Sequence, residues 1–254
     1  MPLLEVKSVS KSFGGVHAIR KVSLSIGHGQ IVGLIGPNGA GKTSFFNAIT
    51  GLVRPDEGEI LFDEGREALQ NLPPHEILSK GVARTFQNLR IFRHMTVREN
   101  VAVGCHARTR QGLWDALLRT RRFYTEEKRT AKRCSDLLDF IGLGDVAGEI
   151  AGHLSYGAQK RLEIARALAS EPKLLLLDEP VAGMNPSEKE ELSQLIRRLK
   201  ERGVSVLLIE HDMKVVMPLS ERIFVLDDGQ MIAEGTPREV RTDPKVIRAY
   251  LGEG

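Results

Sequence analysis

Along the chain, apolar positions first recur in short runs. Leu4–Val6, Val16–Ile26, Gln30–Ile35 and Glu59–Phe62 predict strands, and the third is apolar after its first residue, as a buried strand requires. After Val82–Phe86 the pattern turns helical. Thr96-Val97-Arg98-Glu99 is a capping box that opens one helix, and Glu126–Ile141 predicts a second, closed by Gly142. From Lys173 strands return: Leu174–Asp178, Val204–Ile209, Arg222–Leu226 and Gln230–Ala233, with a helix over Ser187–Arg202. In that helix Leu192, Leu195, Ile196 and Leu199 recur at helical spacing, so one face packs on a sheet. Asn185-Pro186-Ser187-Glu188 supplies its N-cap, a proline in the first turn and a glutamate in capping-box position. Together these predict an α/β core interrupted by a helical lobe over residues 88–160, without internal repeats, low-complexity tracts or heptads.

Composition narrows the class. A chain of 254 residues with 41% hydrophobic content can bury a full core. The longest apolar runs, around Leu174–Leu177 and Val204–Ile209, fall far short of the ~18 residues that cross a bilayer. Met1-Pro2-Leu3-Leu4-Glu5 lacks the basic and apolar regions of a signal peptide, so a cytoplasmic location is expected, with any membrane link running through other subunits. Cys105 and Cys134 make neither a disulfide framework nor a metal cluster and are read as reduced thiols. A net charge of +3 is too slight to argue for nucleic acid. The stretch Arg108–Arg133 is strongly basic, which fits a solvated helical face or a surface near anionic headgroups.

Candidate chemistry begins at Gly36-Pro37-Asn38-Gly39-Ala40-Gly41-Lys42-Thr43, which fits G-x-x-x-x-G-K-[ST]. A loop that cradles polyphosphate needs glycines so that backbone N–H groups can approach the anion. Lys42 offers a mobile cation for the β- and γ-phosphates, and the Thr43 hydroxyl is a hard ligand for Mg²⁺. The loop follows the buried strand Ile31–Ile35 and precedes a helix through Phe46–Ile49, so a helix N-terminus faces the phosphates. The second element is Leu174-Leu175-Leu176-Leu177-Asp178-Glu179, a buried strand ending in two acids at the crevice of an open sheet. Asp178 can hold Mg²⁺ through water, and Glu179 is placed to act as general base toward the attacking water.

Further residues carry a family resemblance. Leu154-Ser155-Tyr156-Gly157-Ala158-Gln159, just ahead of the acid-bearing strand, resembles the LSGGQ signature of ABC ATPases. Gln87 in Arg84-Thr85-Phe86-Gln87-Asn88, His211 in Ile209-Glu210-His211-Asp212, Phe13, and Ala182-Gly183-Met184-Asn185 match further family positions, in order, over essentially the whole chain. The resemblance implies a P-loop NTPase core with an antiparallel β subdomain and an inserted α-helical subdomain. Residues 1–87 and 161–254 would form the nucleotide-binding core and 88–160 the helical subdomain.

It implies MgATP as ligand, with nucleotide contacts from Phe13 (stacking on adenine), Gly36 to Thr43, Ser44, Gln87, and Ser155 and Gly157 reaching across a dimer. Thr43, Gln87 and Asp178 are the implied metal residues, and Glu179, His211 (sensing the γ-phosphate) and Lys42 the catalytic ones. The implied partners are two transmembrane permeases, a second ABC ATPase and, indirectly, a periplasmic or extracellular solute-binding protein, with no nucleic acid. The implied place is the cytoplasmic face of the membrane.

The chain departs from the family pattern at Tyr156, where the signature has its first glycine, at Ala158, where it has its glutamine, and at Asn185, where aspartate is common. The Arg-Thr-Phe-Gln-Asn stretch, the Leu-Ser-Tyr-Gly signature, the segment Cys105–Arg122 and the ending Val246–Glu253 are similar to LivG-type subunits of branched-chain amino acid importers. In such systems the second cassette is a LivF-like paralogue, so a heterodimer stands beside a homodimer. A urea or amide importer and a lipopolysaccharide exporter are the transport alternatives, the latter sharing a similar Tyr-Leu-Gly-Glu ending. A DNA-repair ABC ATPase would need long heptads or a DNA-reading domain, a translation factor two cassettes, and a P-loop GTPase an Asn-Lys-x-Asp motif; none occurs.

Overall fold

The computed structural model describes residues 1–105 and 121–251. Most of the segment Cys105–Arg122 lies outside them, as do Gly252 and Glu253 of the C-terminal ending and Arg108, Arg110 and Arg119 of the basic stretch. The chain divides into two compact units, Met1–Gln87 with Lys173–Gly254, and Asn88–Pro172.

In the first unit, β1 (Leu4–Phe13), β2 (Val16–Ile26), β4 (Glu57–Phe62) and β5 (Glu67–Ala68) form an antiparallel sheet in the order β2-β1-β4-β5. Strand β1 runs well past the expected Leu4–Val6. Its register with β2 shifts between Val6 and Val9 and twice more before Phe13, and Ser8 has φ 47°, which breaks the alternation by which a strand is read.

The second sheet of this unit contains β3 (Ile31–Ile35), β6 (Val82–Arg84), β7 (Leu174–Asp178), β8 (Ser205–Ile209), β9 (Arg222–Asp227) and β10 (Gln230–Gly235). Its order is β10-β9-β3-β8-β7-β6; every pairing is parallel except β9 with β10. Strands β3, β7 and β8 are buried at every residue, which explains their unbroken apolar sequence. Phe45, Phe46, Phe62 and Phe224 are among the largest fully buried side chains, each stabilising the fold by roughly 1.5–3 kcal/mol. The parallel strands place their C-terminal ends along one edge, and the loops leaving β3, β6, β7 and β8 carry the candidate chemistry.

The helices of this unit are α1 (Lys42–Ile49), α2 (Pro74–Lys80), α6 (Pro186–Glu201), α7 (Met213–Leu219), α8 (Pro237–Thr242) and α9 (Pro244–Leu251). Helix α6 buries the expected Leu192, Leu195, Ile196 and Leu199. Its capping box is complete: Glu188 N–H donates to Asn185 Oδ1 at 3.0 Å, and Asn185 N–H to Glu188 Oε2 at 3.1 Å.

The second unit contains α3 (Val97–Cys105), α4 (Arg121–Phe140) and α5 (Tyr156–Leu168). The box at its first helix is also complete, with Thr96 N–H donating to Glu99 Oε2 at 2.7 Å and Glu99 N–H to Thr96 Oγ1 at 3.2 Å. Helix α4 already includes Arg121–Thr125 ahead of the expected Glu126, and ends before Gly142, which has φ 71°. Cys105 and Cys134 are buried free thiols. The expected boundary at residue 160 falls inside α5, and the unit runs on to Pro172. The signature residues begin this helix, and a continuous helix stays with the unit that buries its apolar face.

Candidate functional site

The glycine-rich loop joins the buried end of β3 to α1. Gly36, Gly39 and Gly41 have φ of 152°, 83° and 96°. Two of them also allow no side chain: a Cβ on Gly36 would lie 2.0 Å from the Leu226 carbonyl oxygen, and one on Gly41 2.3 Å from that of Ala18. The loop is thus pressed between β2 and the end of β9, with Gly229 N–H donating to Ala40 O at 3.1 Å.

Lys42 is buried and folds back on the loop, its Nζ donating to Gly36 O at 2.7 Å and Pro37 O at 2.8 Å. Burial pushes its pKa below the usual lysine value, while the carboxylates of Glu179 and Asp178 pull the other way. Thr43 and Ser44 lie in the first turn of α1, whose N-terminal N–H groups have no intrahelical partners. A cradle of left-handed glycines, a curled cation and a helix N-terminus fit a polyphosphate.

Asp178 ends β7 and is buried against Arg84 at the end of β6, with Arg84 Nη2 donating to Asp178 Oδ2 at 2.7 Å. The same guanidinium donates to Asn47 Oδ1 of α1 at 2.6 Å and lies 5.5 Å and 5.2 Å from the ring centroids of Phe46 and Phe86. Arg84 therefore ties the helix that follows the phosphate loop to the acid at the end of β7. Sequence reasoning assigned it no role, although a lone arginine in the short strand Val-Ala-Arg was the available signal.

Glu179 has φ 46°, a left-handed backbone that costs a non-glycine residue roughly 1–3 kcal/mol. It is over-determined by its neighbours. Its N–H donates to Ile209 O at 2.9 Å, Gln87 Nε2 donates to its Oε2 at 2.8 Å, and His211 Nε2 lies 2.6 Å from its Oε1. Two side chains, from the loops after β6 and β8, thus converge on the one carboxylate that follows β7. Gln87, expected at the metal and the nucleotide, directs its amide nitrogen to Glu179.

Among the described residues no three His, Cys, Asp or Glu side chains converge as a metal cage. One hydroxyl, one amide and one carboxylate suit Mg²⁺ held chiefly by substrate phosphates rather than by a protein cage. Phe13, at the end of β1, is an exposed aromatic with Lys11 Nζ 5.5 Å from its ring centroid.

Ser155 and Gly157 belong to the second unit. Ser155 caps α5, its Oγ accepting from Ala158 N–H at 3.3 Å, and Gly157 is buried in the first turn. Gln159, also buried, donates through Nε2 to Leu154 O at 2.8 Å and Gly152 O at 3.4 Å. It braces the backbone leading into Ser155, a role no motif announces. Tyr156 projects outward, 40% exposed.

A family model described as "ABC transporter" matches residues 19–182, and one described as "Branched-chain amino acid ATP-binding cassette transporter" matches residues 230–254. The chain is 47% identical over 253 residues to the high-affinity branched-chain amino acid transport ATP-binding protein LivG of Escherichia coli strain K12, covering 99% of this chain and 98% of that one. A nucleotide-free ATP-binding cassette from an ABC transporter superposes with a TM-score of 0.86 at 33% identity, over 100% of both chains. A bacterial ABC transporter cassette solved as a dimer gives a TM-score of 0.76 at 29% identity, covering 92% of this chain and 99% of that one. The converging loops around Glu179 and the phosphate cradle therefore sit in a fold and a sequence that place this chain in the family of ABC transporter ATP-binding subunits.

Proposed function

We propose that this chain hydrolyses ATP to power uptake of branched-chain amino acids. The observation that carries the hydrolytic reading is the grip of Gln87 and His211 on Glu179, one residue beyond Asp178 and on the same sheet edge as the phosphate loop. In this reading the backbone of Gly36 to Thr43, with Ser44, binds the triphosphate, and Lys42 exchanges its loop carbonyls for phosphate oxygens. Phe13 stacks on adenine. Glu179 accepts a proton from the attacking water, and His211 holds that carboxylate in place while presenting its imidazole to the γ-phosphate. Thr43, Asp178 and Gln87 hold Mg²⁺, which when bound neutralises charge on the phosphates.

Ser155 and Gly157 complete the site of a second cassette, either another copy or a LivF-like paralogue. The dimer seen for a relative at 29% identity supports this pairing. Two membrane permeases, served by a solute-binding protein, receive the motion, and the chain acts at the cytoplasmic face of the membrane. No helix among the described residues is long and apolar enough to cross one. The solute assignment rests on the 47% identity to a LivG protein and on the match at residues 230–254.

Glu179→Gln keeps the geometry but cannot accept a proton. MgATP binding should persist while turnover falls about 10²–10⁴-fold; turnover within about twofold of wild type removes Glu179 as the base. Size-exclusion chromatography of the same variant with ATP should give a dimer if the chain pairs with itself, and a persistent monomer would point to the paralogue. In a deletion strain, wild-type complementation should restore uptake of radiolabelled leucine and Glu179→Gln should not. Loss of urea, amide or lipid transport instead would reassign the substrate and leave the ATPase reading standing.

A further inference from the structure

Glu210 is a buried acid to which the hydrolytic reading gives no role. It follows strand β8 directly, is 3% exposed, and faces backbone donors on two separate loops. Its Oε1 accepts from Val181 N–H at 2.9 Å, in the loop leaving Glu179. Its Oε2 accepts from His211 N–H at 3.0 Å and more weakly from Asp212 N–H at 3.5 Å. Burial raises its pKa, with Glu179 adding to the rise, and the three N–H donors oppose that rise by solvating the charge. A buried carboxylate with no ion pair would be costly unless donors surrounded it, and here the donors are the two loops themselves.

These contacts close a ring. From Glu179 the chain runs through Pro180 to Val181, whose N–H meets Glu210; from Glu210 it runs to His211, whose Nε2 returns to Glu179 at 2.6 Å. The register of β7 and β8 gives a second tie at the base of the ring, where Glu179 N–H donates to Ile209 O at 2.9 Å. The loop held at Val181 continues into Ala182-Gly183-Met184-Asn185, the stretch that precedes α6.

Building on the hydrolytic reading, we infer that Glu210 is a positioning residue that keeps His211 on Glu179 and ties both to the loop Val181–Asn185. It touches no substrate atom. It acts by fixing two backbones at once, so that displacement of either loop moves the His211–Glu179 contact.

The test uses the full chain carrying Glu210→Gln. An amide keeps one acceptor oxygen but turns its NH₂ toward N–H donors, so one of the two loops must be released. Three quantities are read: the imidazole ¹⁵N signals of His211, the affinity for MgATP by fluorescence titration, and steady-state turnover. The inference expects the His211 signals to move, affinity to stay within about twofold, and turnover to fall between about tenfold and a hundredfold, the scale of a misplaced catalytic group.

A residue that only supports the fold would lower the melting temperature while leaving the His211 signals unchanged and turnover per folded molecule within about twofold; that result overturns the inference. If Glu210→Gln does not accumulate, Glu210→Asp keeps the charge but is one methylene too short to span both loops, and the same readings apply. Glu179→Gln, run in parallel, separates the two claims. Undiminished turnover in Glu179→Gln removes the general-base reading, whereas moved His211 signals in Glu210→Gln sustain the positioning role regardless.

Discussion

The loop between β3 and α1 and the turn that opens α5 both bring a glycine-bearing segment to a helix N-terminus, yet different forces hold them. Around Gly36 and Gly41 the backbone itself is packed: carbonyls of Leu226 and Ala18 occupy the space a Cβ would need, and Lys42 closes the loop on its own carbonyls. At Ser155 the turn is held by side chains, with Ser155 Oγ on Ala158 N–H and the Gln159 amide on Leu154 O. Backbone packing tolerates no substitution, whereas side-chain bracing leaves an outward-facing residue between the braces free to vary. The departures at Tyr156 and Ala158 fall in the second class. Tyr156 points outward, and Ala158 donates its N–H to Ser155 Oγ while its small side chain is buried, with Gln159 holding the backbone ahead of both.

The sharpest way to break this comparison is Gly41→Ala beside Tyr156→Gly. The first forces a side chain into a left-handed position 2.3 Å from a backbone oxygen, and nucleotide affinity should fall beyond detection in a titration with labelled ATP. The second should leave affinity within about twofold, since an exposed ring is lost. Equal effects would show that the two turns are not held differently. Lys42→Ala falls between them. Losing one cation from the phosphates should weaken ATP binding by about 10–150-fold, the scale of a charge-assisted hydrogen bond. Unchanged affinity would confine Lys42 to the transition state.

Arg84 extends the contrast, because it joins α1 to Asp178 by charge rather than by backbone. Arg84→Met leaves a buried carboxylate without its partner and should destabilise the chain by about 3–5 kcal/mol in denaturant unfolding. A loss below about 1 kcal/mol, the surface-pair range, would mean that water or a cation replaces the guanidinium. Gln159→Leu is expected to be milder. Two carbonyls lose a donor, about 1–3 kcal/mol of stability is lost, and turnover falls while affinity for MgATP holds. Affinity lost in parallel would place the damage in the fold and not in the turn before Ser155.

The same contrast explains what the sequence could disclose. The phosphate loop and the acid pair were legible because their chemistry demands fixed residue types at fixed spacing next to an apolar strand. The six-stranded sheet was legible from unbroken runs such as Leu174–Leu177, and α6 from its apolar spacing. Arg84, Gln159 and Glu210 were not, because each acts on backbone or charge brought close by folding, and backbone carbonyls and N–H groups leave no trace in residue identity. The short helices Pro74–Lys80, Met213–Leu219 and Pro237–Thr242 escaped because fewer than three turns give periodicity nothing to repeat. The helical unit runs past residue 160 to Pro172 because the signature residues open a continuous helix, and a motif match carries no sign of where that helix ends.

The smallest expected effect compares the two units through their capping boxes. Glu99 in one and Glu239 in the other accept from the backbone N–H and the hydroxyl of Thr96 and Thr236, which hold both carboxyls below the usual glutamate value, the backbone bond being the larger cause. A carboxylate whose pKa is lowered on folding contributes stability above its unfolded pKa, about 4.3, and loses that contribution as pH falls through the lower folded value. Glu210, whose pKa is raised, works in the opposite sense: its contribution declines as pH rises through the window above the unfolded value. Melting temperature between pH 7 and pH 3.5 should therefore fall less steeply in Glu99→Gln and in Glu239→Gln than in the wild type, because a neutral amide keeps an acceptor but does not titrate. The two variants should flatten the acid limb to a similar degree, since both boxes are exposed and have the same geometry. An acid limb unchanged in both would mean that these carboxylates are equally well solvated in the unfolded chain, and that capping in this protein rests on the Thr96 and Thr236 hydroxyls alone.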